Sequence, residues 1–157
     1  MNLSLRPAES SEFEVSESLS RLNMSSYRAS RGIVWDPQRF RLSWGGFENL
    51  AIVRGSQCCG FIRLLPEGGA LAIRDVQIVP EFQGSGIGTW AIEQIKQLAS
   101  VRGYGVVQLR VYPENPAMAL YARLGFVVER TEDAVVHMRC YIPPNYSLKR
   151  TNQSLRD

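Results

Sequence analysis

The chain has 157 residues, 45% hydrophobic and 21% charged, with a formal net charge of +3. That balance suits one globular domain with a real core and excludes a disordered or strongly basic chain. No run of Lys and Arg interleaved with aromatics marks a nucleic-acid surface, and no apolar run approaches the ~18 residues of a membrane span.

The amino terminus, Met1-Asn2-Leu3-Ser4-Leu5-Arg6, lacks the basic start and long apolar segment of a signal peptide, and Leu3 to Arg6 alternates as a short strand. Ser10 or Ser11 is expected to cap a helix with Glu14 as reciprocal partner, and Phe13, Val15, Leu19, Leu22 and Met24 give that helix one loose apolar face. Tyr27 to Trp35 reads as irregular, and Asp36-Pro37 as the cap and first turn of a second helix. Ala51 to Val53, Cys59 to Leu65 and Leu71 to Val79 read as strands of an antiparallel meander, with turns at Gly55-Ser56-Gln57 and Gly68-Gly69. Pro80 ends the third because it cannot donate to a ladder. Cys58, Cys59 and Cys140 form no zinc spacing; reduced thiols in a cytoplasmic protein, with no metal, are expected.

Ile87, Trp90, Ala91, Ile95, Leu98 and Ala99 recur at helical spacing over 86 to 101, with Gly103 as the stop. Val106 to Val111 is a β-branched strand, Pro116 to Leu124 a short helix stopped by Gly125, and Phe126 to Val128 and Ala134 to Cys140 two last strands. This order predicts an α/β fold with a mixed sheet, antiparallel at first and parallel around the long helix. No linker divides the chain, so a single domain over residues 1–142 and a polar tail over 143–157 are expected.

The chemistry centres on Gln83-Gly84-Ser85-Gly86-Ile87-Gly88, between a strand and a long helix. Glycines let the backbone approach a bulky anion, and the helix start adds a positive end. A nucleoside-triphosphate loop would need Gly-Lys-Ser/Thr, whereas the helix here opens Gly88-Thr89-Trp90. A dinucleotide fold would need G-x-G-x-x-G after the first strand, and both place and spacing differ.

Val76 to Gly88 resembles the central motif of the GNAT acetyltransferases, Gln/Arg-x-x-Gly-x-Gly/Ala, with Gln83, Gly86 and Gly88 in its fixed positions. Asn115-Pro116-Ala117 followed by Leu120-Tyr121-Ala122-Arg123-Leu124-Gly125-Phe126 is similar to the family's downstream Asn…Tyr…Gly-Phe segment, and the resemblance spans residues 48 to 140. It implies a GNAT-like sheet splayed at its central pair of strands, with acetyl-CoA as co-substrate. Val76, Gln77 and Ile78 would line the pantetheine arm, with the Ile78 N–H at the thioester carbonyl. Gly84 through Thr89 would hold the pyrophosphate, and Asn115 would bond the arm. Asn115 stands six residues before Tyr121 where many members have seven, and Glu114 fills the commoner place.

By the same resemblance Tyr121 would protonate the departing thiolate. Family members that use a glutamate base carry it at positions that are Ala72 and Arg110 here, and neither can serve. Asp75, Glu114 and Glu129 could act through water, although each is expected to be a solvated surface or turn charge. His137 falls on the opposite strand face from Val136, where it could point at the cleft on the acceptor side. Tyr27 and Trp35, with Arg28 and Arg31, lie in the segment that would face the acceptor. The implied reaction is direct attack, in a ternary complex, by a primary amine of a small molecule or peptide. A homodimer is possible, and no nucleic-acid or membrane partner is expected. The alternative is a non-catalytic acyl-CoA-binding sensor or scaffold, which would bind without transfer.

Overall fold

In the computed structural model, which describes residues 2–146, strands and helices alternate much as the patterning predicts. Residues 147–157, most of the expected tail, lie outside the described residues. The chain divides into two compact units, Met1–Leu65 with Arg74–Gly88, and Pro66–Ile73 with the chain from Thr89 onward.

In the first unit, β1 (Leu3–Pro7) runs antiparallel to β2 (Glu48–Arg54), with Leu3 opposite Arg54. β2 is antiparallel to β3 (Gln57–Glu67), with an irregularity between Ile52 and Val53. Ala51, Ile52, Phe61, Ile62 and Leu64 are buried on these strands. Each large side chain so buried contributes about 1.5–3 kcal/mol relative to exposure. Leu19 of α1 (Phe13–Asn23) joins Ala51, Val53 and Phe61 in one cluster.

The helix start differs from expectation. A 3-10 turn over Ser10–Glu12 precedes α1, and the capping box pairs Glu9 with Glu12 instead of Ser11 with Glu14. Arg6 holds the Glu12 carboxylate at 2.7 Å, so that carboxylate is in place to accept the Glu9 N–H at 2.9 Å. The buried face of α1 is Ser16, Leu19 and Ser20, whereas Val15 and Leu22 are 53% and 67% exposed. The stretch expected to be irregular begins with a helical turn, α2 (Ser25–Ala29). Arg28 there donates to the carbonyls of Ser20 and Arg21, which satisfies the end of α1. α3 (Pro37–Gly46) is capped as predicted, with Asp36 accepting from the Gln38 and Arg39 N–H groups.

β4 (Ala70–Ile78) follows the Gly68-Gly69 turn and contributes residues to both units. In the second unit, Leu71–Ile73 of β4 pairs in parallel with Val107–Leu109 of β5 (Val106–Val111). Parallel strands need a long crossover, and α4 (Ile87–Val101) lies in the connecting segment. Its Ala91, Ile92, Ile95 and Ala99 are buried, a stripe at three- and four-residue spacing. After α5 (Ala117–Arg123), β7 (Val135–Tyr141) pairs antiparallel with both β5 and β6 (Val127–Glu132). Val136, Met138 and Cys140 of β7 are buried with Val107, Leu109 and Val111 of β5, and β6 is an exposed edge. Buried Lys96 donates to the Leu124 carbonyl at 2.6 Å, which satisfies the end of α5. The Tyr146 hydroxyl reaches Glu93 at 2.6 Å, so the first residues of the expected tail are docked. In hydrogen-bonding order the strands run β1-β2-β3-β4-β5-β7-β6.

Candidate functional site

Pro80 stops β4 and opens a 3-10 turn over Pro80–Phe82. Gln83 donates from its side chain to the Ile78 carbonyl at 3.1 Å, and Ser85 donates to the Phe82 carbonyl at 2.6 Å. Gly84 and Gly86 sit at φ +75° and +86°, left-handed values that cost an L side chain about 1 kcal/mol or more. A Cβ built on Gly84 would meet nothing within 4 Å. The loop is tied back to its own strand and open in front. Ile87 anchors the start of α4 at 1% exposure, and the first turn carries no acidic residue. The arrangement fits an anion as large as a pyrophosphate: exposed left-handed glycines, open space and the positive end of a 15-residue helix.

The strand feeding the loop is packed hard from behind. A Cβ on Gly60 of β3 would collide with the Gln77 carbonyl oxygen and lie 3.1 Å from the Ile78 Cα. The Ile78 carbonyl accepts from both Asn23 and Gln83. Val76 and Ile78 are half-buried. The Gln77 side chain is committed, its Nε2 donating to Asp75 at 2.8 Å and its Oε1 accepting from Asn23 at 3.1 Å.

Asp75 differs from the expectation of a solvated charge: its side chain is only 16% exposed, with Arg63 at 3.8 Å. Burial pushes the carboxyl above the usual range, while Gln77, Arg63, Ser20 and Arg28 pull it back down. Arg63 is 3% exposed and stacks over Phe40 at 4.1 Å and Phe47 at 4.8 Å. Its Nε donates to Asn49 at 2.9 Å and its Nη2 to Ser43 at 2.7 Å. Along the helical segment, Arg28 stacks on Trp35 at 4.2 Å, and Trp35 lies 5.6 Å from Phe40. The Trp35 Nε1 is buried with no hydrogen-bond partner, and half-buried Tyr27 accepts at its carbonyl from Ser30 and Arg31.

In the second unit Tyr121 is 7% exposed and packs on Phe126 with ring centroids 5.9 Å apart. The Asn115 Oδ1 accepts from the Ala117 N–H at 2.9 Å and so caps α5. His137 lies directly across from Arg110 on β5 and from Arg130 on β6. With Glu132, Asp133 and Val135 these line a cavity of about 340 Å³. Glu129 is held by Arg130 and Arg139, each at 3.0 Å. Ala72 lies opposite Gln108 in the parallel ladder.

The first unit therefore brings together Val76, Gln77, Ile78 and Gln83 through Gly88, with Tyr27 and Trp35 on its helical segment. Thr89, Asn115, Tyr121 and His137 fall in the second. The sequence reading missed the Asp75–Arg63–Gln77–Asn23 cluster. One signal was present: Arg63 sits in the apolar run Phe61-Ile62-Arg63-Leu64-Leu65, where a charge needs a buried partner. Among the described residues no group of three His, Cys, Asp or Glu could hold a metal ion, and no helix is long and apolar enough to cross a membrane.

The model of the Acetyltransferase (GNAT) family matches residues 16–126, and the chain belongs to that family. An uncharacterized N-acetyltransferase of Methanocaldococcus jannaschii is 36% identical over 69 residues, 43% of this chain. The match spans only 30% of that protein's length. Among solved structures, the PaiA N-acetyltransferase of Thermoplasma acidophilum in complex with coenzyme A has a TM-score of 0.71 at 17% identity, covering 90% of this chain and 99% of that one. Spermidine N-acetyltransferase of Vibrio cholerae, in complex with CoA and spermine, gives 0.73 at 20% identity, covering 90% and 96%. The ribosomal-protein-S18-alanine N-acetyltransferase of Escherichia coli gives 0.69 at 17% identity, covering 89% and 94%. At these identities the structural likenesses establish the fold.

Proposed function

We propose that the protein transfers an acetyl group from acetyl-CoA to a primary amine of a small molecule or peptide, by direct attack in a ternary complex. The observation that carries this is the exposed loop with left-handed Gly84 and Gly86 at the start of α4, in a chain of the GNAT family. In this reading Gly84 through Thr89 hold the pyrophosphate by backbone, and Val76, Gln77, Ile78 and Asn115 receive the pantetheine arm. The Ile78 N–H polarises the thioester carbonyl and stabilises the oxyanion. Tyr121 protonates the departing thiolate. Tyr27, Trp35 and His137 belong to the acceptor side. The free thiols Cys58, Cys59 and Cys140 support a reducing, cytoplasmic setting.

The test is calorimetry with acetyl-CoA, followed by thiol release across amino acids, polyamines, aminoglycosides and peptide amino termini. Saturable binding and release with at least one acceptor class are expected. No binding at millimolar acetyl-CoA overturns the reading, and binding without transfer to any acceptor favours a sensor. Tyr121→Phe is expected to keep acetyl-CoA affinity and lower kcat about 100-fold; unchanged turnover removes Tyr121 from the chemistry.

A further inference from the structure

We infer that the cavity on the β5–β7–β6 face holds a carboxylate of the acceptor, so that the amine substrate is an amino acid or a similarly small molecule that carries a carboxylate. The assignment rests on the acetyl-transfer reading above. The cavity, about 340 Å³, is lined by Arg110, Arg130, Glu132, Asp133, Val135 and His137. Pockets for small molecules run from roughly 300 to 1,000 Å³, and the low end of that range suits a molecule of amino-acid size.

Its place in the sheet ties it to the reaction. The parallel pairing of β5 with β4 ends at Leu109 and Ile73. Arg110 is the next residue of β5, and His137 of β7 stands directly across from it. Leu109 and Val111 are buried, so Arg110 turns to the other face of the strand. In the acetyl-transfer reading the pantetheine arm lies where β4 and β5 part, and the cavity begins on β5 one residue beyond the last pair.

The charges inside the cavity are not equivalent. Arg130 donates from Nε to Glu132 and from Nη1 to Glu129, each at 3.0 Å. The Arg130 bond holds the Glu132 carboxyl below its usual range, with smaller pulls from His137 and Arg110. Arg110 meets the Glu67 Oε1 only at 3.8 Å, beyond hydrogen-bond reach, and the Glu67 Oε2 accepts from Gln108 at 3.2 Å. Among the described residues no group accepts a hydrogen bond from the Arg110 guanidinium or the His137 ring. A guanidinium offers two parallel N–H groups that match the two oxygens of a carboxylate, and an imidazole beside it adds a further donor. Asp133, at φ +52° in the β6–β7 turn, supplies a carboxylate for the ammonium that such a molecule brings. The cavity therefore matches a zwitterion. A diamine would satisfy the acidic turn and set a second cation against Arg110, a like-charge contact that disfavours it.

The test measures acetyl transfer to alanine, phenylalanine and lysine, each beside the amine left when its carboxylate is removed, by wild type, Arg110→Ala and Arg110→Lys. Acetyl-CoA affinity and the denaturant midpoint are followed in parallel. Wild type is expected to favour the carboxylate member of at least one pair about 100-fold in kcat/KM, the order of a charge-assisted hydrogen bond. Arg110→Ala should lose most of that preference, chiefly through KM, with acetyl-CoA affinity and midpoint kept. Arg110→Lys should retain part of it, because the charge remains and the fork is gone. No preference or the reverse preference in all three pairs overturns the assignment, as do equal losses in Arg110→Ala with both members of the preferred pair. A wild type that binds acetyl-CoA and transfers to none of the six amines overturns the acetyl-transfer reading instead. Calorimetric titration of the three amino acids into the CoA complex then decides the cavity: saturable binding that Arg110→Ala weakens supports a carboxylate site, and absence of binding overturns it.

Discussion

Arg63 and Arg130 carry the same guanidinium into opposite surroundings. Arg63 is sealed at 3% exposure, stacked on aromatic rings, with Asp75 as its carboxylate partner at 3.8 Å. Arg130 is 52% exposed, with Glu129 and Glu132 each at 3.0 Å. The shorter contacts belong to the weaker interaction, because water screens the second pair far more than the first. A charge buried in the first unit packs beside the strand that leads into the glycine loop, whereas the charges on the β5–β7–β6 face lie over the buried apolar residues of β5 and β7.

The largest effect should come from Arg63→Ala. It removes donors from Asn49 and Ser43 and leaves Asp75 without the cation at 3.8 Å. Breaking a buried pair on one side costs about 3–5 kcal/mol, read as a shift in the denaturant midpoint. A loss within experimental error would place Arg63 with Arg130. Gly60→Ala should come next, because its Cβ collides first with the Gln77 backbone, which cannot rotate away as a side chain can. Overpacking of this kind costs about 1–3 kcal/mol, and acetyl-CoA affinity should fall with it as β4 shifts. Unchanged affinity would separate the packing behind β4 from the loop in front. Arg130→Ala should be smallest, with no measurable change in midpoint at physiological salt; a clear loss there would erase the contrast between the two faces.

Much of the frame could be read from residue order. Asp36-Pro37 starts a helix because a carboxylate can take the first free N–H groups and proline loses nothing at a first turn. Gly84 and Gly86 mark the loop because only glycine holds left-handed angles without cost. The α1 face was less legible. Val15 and Leu22 point outward because serines at 16 and 20 turn inward, Ser20 toward the Asp75 carboxyl, and that carboxyl lies 55 residues further along the chain. The Glu9–Glu12 box was hidden for a similar reason, since Arg6 on the preceding strand selects which glutamate is in place.

What the sequence determined by itself is the set of local features: the glycine loop at a helix start, the alternation of the strands and the family whose motif the chain carries. Those depend on backbone angles and on neighbours within a few residues. The tertiary structure alone decided which charges are sealed from water. Nothing along the chain marks Asp75 as buried, and the packing of β3, α1 and α2 around it raises its proton affinity.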